Sequence, residues 1–172
     1  MINKLYPDLY VASLADIPVE ALKNRDIKAL ILDLDNTITT WNSDVVETQV
    51  GEWFKAIKAA GFKACILSNN KAKRCLAVAN YLGIPFIHEA KKPRRAAFYR
   101  AMKLMAVSPE QTAVVGDQIF TDVLGGNRAG LFTILVIPLA KKEFMGTKIS
   151  RAMEEVVLYR LKRKNVRKTG GT

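Results

Sequence analysis

At 172 residues, 49% apolar and 25% charged, the chain has the size and composition of one globular domain with a real core, which excludes a disordered or low-complexity polymer. The longest clearly apolar run, LFTILVIPLA at 131–140, is too short to cross a bilayer, and Pro7 and Asp8 interrupt the N-terminus where a secretory signal would be apolar, so the expected location is cytoplasmic. The net charge of +11 is uneven: residues 1–137 carry 17 Lys/Arg against 13 Asp/Glu, and residues 138–172 carry 10 against 3, a basic tail that favours anionic partners.

In chain order, residues 1–27 show no clear period and are expected to pack beside a sheet without completing it. An apolar strand is predicted over 28–34. A helix follows over 44–60, where Asp44 and Glu47 have capping-box spacing, Ser43 competes as the cap, and Gly61 stands where a left-handed cap residue belongs. Residues 62–67 read as a second buried strand, 71–82 as a helix ending at Gly83, and 84–87 as a short strand. Pro93 opens another helix, because a missing N–H costs little in the first turn. A strand over 111–115, a helix over 120–129 stopped by Gly130, and a strand over 131–137 complete the series. Five apolar strands alternating with amphipathic helices predict an α/β fold, a doubly wound Rossmann-like parallel five-stranded sheet covered on both faces. The expectation is a single domain, 1–172, with its core at about 28–137 and a basic extension at 138–172 that includes an amphipathic helix over 150–164. Cys65 and Cys75 share no metal-ligand spacing and read as small, buried, reduced thiols.

In such a sheet, ligands bind beyond the carboxyl ends of the strands. Four strands lead there into polar segments: Asp33-Leu34-Asp35-Asn36-Thr37, Ser68-Asn69-Asn70, Ala90-Lys91-Lys92-Pro93, and the run from Gly116 and Asp117 to Asp122. Parallel topology gathers four carboxylates, a hydroxyl and at least one ammonium on one edge. Uncompensated, four carboxylates repel, and a hard divalent cation such as Mg2+ is the natural remedy. A Lys and a Ser beside it suit phosphate oxygens. No Walker loop or GxGxxG occurs, and the pair Gly125-Gly126 alone signals nothing.

These motifs, in type, order and placement, resemble those of the haloacid-dehalogenase (HAD) superfamily of aspartate-nucleophile phosphatases: DLDNT, SNN, the Lys of KKP, and GDQIFTD. The resemblance implies that Asp33 attacks phosphorus to form an aspartyl-phosphate and that Asp35 acts as acid and then base. It implies that Ser68 and Asn69, with nearby backbone N–H groups, hold the phosphoryl, and that Lys92, with Lys91 as fallback, neutralises it. Asp117 would bind Mg2+ together with the Asp33 carboxylate and the Asp35 carbonyl, and Asp122 would orient a metal-bound water. The second aspartate, Asp35, favours a phosphatase or phosphotransferase over a dehalogenase.

Asp35 to Ser68 spans 33 positions and Lys92 to Asp117 spans 25, too few in either gap for a cap domain. The expected open site suits a large or surface-presented substrate. DNTITTW, SNNKAKR, AKKP, GDQIFTDVLGGNRAG and the lead-in PDLYVASLADIP resemble the YqeG-type, subclass IIIA HAD phosphatases, akin to phosphatidylglycerophosphate phosphatases; Ile38, where Leu is common, is a departure that leaves the chemistry untouched. That resemblance implies a lipid-borne phosphomonoester, with the basic tail on an anionic membrane surface. Lys71, Lys73 and Arg74 are expected to add to the positive face. Trp41 is expected to pack on the first helix, with a lipid-interface role as the alternative; Arg128 is either a second phosphate contact or a helix-end cation; His88 is expected to be structural. One rival is a capless phosphatase acting on nucleic-acid ends, nucleotides or phosphoproteins, although no aromatic-rich stacking tract accompanies the charge. The other is a non-catalytic RNA- or membrane-binding module, which has no use for a complete catalytic set.

Overall fold

The structure, a computed structural model, describes residues 2–41 and 43–140. Its strands are β1 (Leu9–Val11), β2 (Ala29–Leu32), β3 (Lys63–Leu67), β4 (Phe86–Ile87), β5 (Thr112–Gly116) and β6 (Phe132–Val136). The helices are α1 (Val19–Lys23), α2 (Thr48–Ala59), α3 (Ala72–Leu82), α4 (Arg95–Met105) and α5 (Leu124–Ala129). All strands run parallel in the order β1-β6-β5-β2-β3-β4.

The alternation of side chains along β2 divides the core in two. Leu30 and Leu32 point with Leu34 into a cluster that takes Trp53, Phe54 and Ile57 of α2 and Val78 and Leu82 of α3. Ala29 and Ile31 face the opposite layer, built by Phe98 and Met102 of α4 with Ala129 of α5. Burying a Leu or Ile contributes about 1.5–3 kcal/mol. Leu30, Ile31 and Leu32, all 0% exposed, together offset the penalty of several kcal/mol for a desolvated charge at their strand's end.

Register aligns that end with its neighbours. Leu32 lies opposite Ile66 of β3 and Val115 of β5, and the Asp33 N–H donates to the Val115 carbonyl at 2.9 Å. The chain therefore leaves β2, β3 and β5 at one level, with Asp33, Ser68 and Asp117 close behind the last paired residues.

The sheet has six strands where five were expected. The added strand is β1, which pairs Leu9 with Ile134 at the edge. Asp8 locks it there: its carboxylate accepts from the Thr133 N–H at 2.8 Å and from the Thr133 hydroxyl at 3.0 Å. Three half-buried residues are too few to show a period, which is why this strand is not legible in the sequence.

Two helix starts also differ. The helix expected from 44 begins at Thr48, and Glu47 caps it without a side-chain hydrogen bond. Asp44 instead accepts from Arg74 at 2.7 Å, and the Ser43 hydroxyl accepts from the Val45 N–H at 3.2 Å, so both candidate caps are engaged elsewhere. Pro93 precedes α4 by two residues. As expected, Gly61 just past α2 has a left-handed φ of 85°, α3 and α5 end at Gly83 and Gly130, which are left-handed too, and both cysteines are free and buried.

Between β2 and β3 the described residues form only a loop and α2, and between β4 and β5 a loop, α4 and a 3-10 turn; among the described residues no cap domain covers the edge. The Gly125-Gly126 pair is architectural: a Cβ on Gly125 would fall 2.5 Å from the Phe98 ring, and one on Gly126 2.3 Å from Val114. The helix expected over 150–164 lies outside the described residues.

Candidate active site

Five segments deliver polar side chains to the carboxyl edge of the sheet. Asp33 and Asp35 follow β2, Ser68 to Asn70 follow β3, Lys92 comes from the loop before α4, and Asp117 follows β5. Asp122 arrives by a different route. Residues Ile119–Val123 form a wide π-helical turn in which Asp122 N–H and Val123 N–H both bond the Gln118 carbonyl, at 3.0 and 3.3 Å. That turn brings the Asp122 carboxylate back against Gly116, where a Cβ would lie 2.3 Å from its Cγ. Glycine at 116 is thus a condition for Asp122 to reach the strand end.

The centre of the arrangement is a buried ammonium between two carboxylates. Lys92 Nζ donates to Asp33 Oδ1 and to Asp122 Oδ1, each at 2.6 Å. Lys92, Asp33 and Asp122 are 8%, 6% and 1% exposed, so these are charge-assisted bonds in a low-dielectric setting. The Lys92 main chain is fixed by Asn69, whose Oδ1 accepts from the Lys92 N–H at 2.8 Å and whose amide donates to the Lys92 carbonyl at 3.4 Å. Lys91, the fallback, is exposed. The Ser68 hydroxyl, buried, accepts from the Asn70 N–H at 3.1 Å.

Electrostatics set Asp33 and Asp117 apart from ordinary carboxylates. Burial pushes Asp33 up to about 7; Lys92 opposes the rise, and Asp122 and Asp35 add to it. Burial, then Asp33 and Asp122, pushes Asp117 up to about 8. For Lys92 burial works against the ammonium, but Asp122 and Asp33 outweigh it and hold its pKa above the ordinary value. One ammonium does not neutralise three clustered carboxylates. Asp33, Asp117 and Asp122 each bring an oxygen within 4.8 Å of the others, and the buried Asp117 Oδ1 has no hydrogen-bond partner among the described residues. A cluster of three carboxylates with an unpartnered buried oxygen on one of them fits a hard divalent cation.

Asp35 lines the same cavity but has partners of its own. Its carboxylate accepts from Arg74 Nε at 3.2 Å and Arg74 Nη2 at 2.9 Å on Oδ1, and from the Asn70 amide on Oδ2. Arg74 is the residue that sequence reasoning misplaced. It was expected on the positive surface, yet its side chain is 14% exposed. A signal existed: Arg74 lies four residues before Val78 and next to Cys75, on the flank of the stripe that α3 buries.

A cavity of about 130 Å³ is lined by Asp33, Asp35, Trp41, Ser68, Asn69, Asn70, Lys92, Gln118 and Thr121. Trp41 is 38% exposed and stands in the cavity wall. His88 and Arg128 are exposed, and His88 pairs with Glu89 at 3.3 Å.

A family model described as mitochondrial PGP phosphatase matches residues 2–138. The "Probable phosphatase YqeG" of Bacillus subtilis is 43% identical over 165 residues, which covers 95% of this chain and 96% of that protein. The chloroplastic/mitochondrial phosphatidylglycerophosphate phosphatase 1 of Arabidopsis thaliana is 29% identical over 173 residues, covering 94% of this chain and 49% of that protein, so this chain spans about half its length. Among solved structures, the cobalt-bound deoxy-D-mannose-octulosonate 8-phosphate phosphatase of Haemophilus influenzae has a TM-score of 0.55 at 22% identity, over 80% of this chain and 90% of that one, a likeness of fold.

Proposed function

The chain belongs to the PGP phosphatase family of HAD-type phosphatases, and from that premise we propose that it hydrolyses a lipid-borne phosphomonoester, phosphatidylglycerophosphate, through an aspartyl-phosphate on Asp33 with Mg2+ as cofactor. The observation that carries the chemistry is the desolvated Asp33 carboxylate, held at 2.6 Å by the buried Lys92 beside two further carboxylates.

In this reading Asp33 bonds to phosphorus while the ester oxygen leaves and takes a proton from Asp35. Asp35 then accepts a proton from the water that attacks the aspartyl-phosphate, which releases inorganic phosphate and restores Asp33. Lys92 lies close enough to share its charge between Asp33 and an incoming phosphoryl oxygen, and Ser68 lines the same cavity. Asn69 lines it too, and its grip on the Lys92 main chain gives it a second part, keeping that ammonium in place. The carboxylates of Asp33 and Asp117, with the Asp35 carbonyl, would hold Mg2+, and Asp122 would orient a bound water. Bound there, the ion supplies positive charge that offsets carboxylate repulsion and stabilises charge on the phosphoryl group.

The lipid part rests on the size of the cavity and the exposed cations of the segments that form it, together with the names of the relatives. About 130 Å³ is below the roughly 300–1,000 Å³ of pockets that enclose a small ligand, so the site takes a phosphoryl head and leaves the rest outside. Lys71, Lys73, Lys91, Arg94 and Arg95 are all exposed on the segments that carry Asn70 and Lys92, positive charge suited to an anionic bilayer. The proposed mode is docking on a membrane surface from the cytoplasmic side; among the described residues no helix is long and apolar enough to cross a membrane. The test is a panel of phosphomonoesters with Mg2+: phosphatidylglycerophosphate in mixed micelles, oligonucleotides with terminal phosphates, nucleotides and a phosphopeptide. Preferred release of phosphate from the lipid supports the reading. Good turnover of oligonucleotide ends with an inert lipid overturns it.

A further inference from the structure

The contacts of Arg74 are more than an ion pair requires. Its guanidinium donates to Asp35 Oδ1 through Nε and Nη2, to the Thr39 hydroxyl at 2.9 Å, to the Thr40 carbonyl at 3.2 Å, and through Nη1 to Asp44 at 2.7 Å. A planar fork with five N–H donors can hold several acceptors at fixed relative angles, which an ammonium cannot. The acceptors are the carboxylate of Asp35 and the turn that follows it. The backbone closes the same turn, since Asn36 N–H donates to the Thr39 carbonyl at 2.7 Å and Asp35 and Thr39 form a bridge. With Asn70 on the second oxygen, both sides of the Asp35 carboxylate are held where it lines the cavity.

We propose that Arg74 is a positioning residue for Asp35, fixing the carboxylate at the cavity wall so that it meets the leaving ester oxygen. The inference rests on the reading of Asp35 as acid and base. As Asp33 forms its bond to phosphorus, the bond from phosphorus to the ester oxygen breaks with its electrons going to that oxygen. Oδ1 stays the acceptor for Arg74, so the proton of the acid form sits on Oδ2; it goes to the same oxygen, and the alcohol leaves neutral while Asp35 becomes the carboxylate. That transfer needs donor and acceptor within about 2.6–3.2 Å, and a misplacement of about 1 Å can cost on the order of 100-fold. Released from Arg74, Asp35 can turn about its own side-chain bonds and loses that geometry.

A merely structural role and a positioning role differ in their dependence on the leaving group. p-Nitrophenolate departs readily without a proton, whereas the oxygen of phenyl phosphate is far more basic and gains from one. In Arg74→Met, kcat/KM for phenyl phosphate should fall about 30-fold and that for p-nitrophenyl phosphate no more than about 3-fold, with KM little changed. Arg74→Lys should regain part of the loss. Asp44→Ala removes one anchor of Arg74 at a 64% exposed position, where folding is not at stake, and should shift the ratio of the two rates in the same direction by about 3-fold. Equal losses on both substrates, or none, across the three variants overturn the proposal. Asp35→Asn separates the two ideas. If it shows the leaving-group dependence and the Arg74 variants do not, Arg74 is structural and the reading of Asp35 stands. If Asp35→Asn itself shows no such dependence, the acid role of Asp35 fails and takes this inference with it.

Discussion

Asp33 and Asp35 leave one strand end two residues apart and enter opposite surroundings. Asp33 joins Asp117 and Asp122 around a single ammonium, so positive charge is short and burial raises Asp33 and Asp117 to about 7 and 8. Asp35 meets a guanidinium shared with the exposed Asp44, together with an amide, so the protein itself supplies its partners. An outside cation is therefore needed on one side only. The Asp33 side is left incomplete by the protein's own charges, and the Asp35 side is complete.

The sharpest way to break this contrast is to remove the proposed nucleophile. Asp33→Asn should reduce phosphatase activity by more than about 10⁴-fold, because no other carboxylate takes the place of a covalent nucleophile. Its metal-free stability should be unchanged or higher, since Lys92 keeps Asp122 and one repelling charge is gone. A variant that loses stability with its activity would contradict the view that the cluster is under-compensated. Lys92→Met should cost about 10²–10³ in kcat. It should also destabilise the fold by roughly 3 kcal/mol in urea titrations, because it leaves two buried carboxylates without their cation.

The contrast also has a pH signature. Asp33 and Asp117 are both raised from 3.8, so the metal-free fold holds protons that the unfolded chain has already released. Their contribution to stability is full below about pH 4 and is lost as pH climbs through the values near 7 and 8. A cation that binds only the ionised carboxylates reverses that loss. The rise in melting temperature on adding Mg2+ should therefore be larger at pH 8 than at pH 6, with a tighter midpoint at the higher pH. An equal rise at both values would show that the cation binds elsewhere.

How far the sequence reveals this arrangement follows from the reach of each signal. Asp33, Ser68, Lys92 and Asp117 are legible because each ends an apolar strand or opens the next turn, and parallel topology carries strand ends to one edge. Asp122 is legible as a site residue, but its bond to Lys92 is not, since it depends on a π-helical turn that no propensity announces. Arg74 reads as one more cation in KAKR, and only its place beside Cys75 and four residues before Val78 hints that it turns inward. The same long-range bond displaced the start of α2, because Asp44 serves Arg74 and not a helix cap. Edge strand β1 was missed because three half-buried residues carry too little pattern.

Two glycines give the smallest and most selective test of that long-range packing. Gly116 and Gly126 would both collide with a neighbour if given a Cβ, yet the neighbours differ. At Gly116 the collision is with the Asp122 carboxyl, 2.3 Å away, and Asp122 is held by Lys92 at 2.6 Å and by the Gln118 N–H at 3.2 Å. At Gly126 it is with Val114 at 2.3 Å and Thr133 at 2.8 Å, side chains of β5 and β6 that touch no substrate. Overpacking costs about 1–3 kcal/mol in either place, so urea unfolding should show similar losses for Gly116→Ala and Gly126→Ala. Activity should not follow stability. Gly116→Ala pushes Asp122 off Lys92 and should lower kcat about ten-fold at a temperature where the protein remains folded. Gly126→Ala should keep kcat within about two-fold under the same conditions, because its strain is taken up inside the sheet–helix packing. Equal kcat values for the two variants would mean that the Asp122–Lys92 contact does not matter to turnover, and the Asp33 side of the site would then rest on Asp33, Lys92 and Asp117 alone.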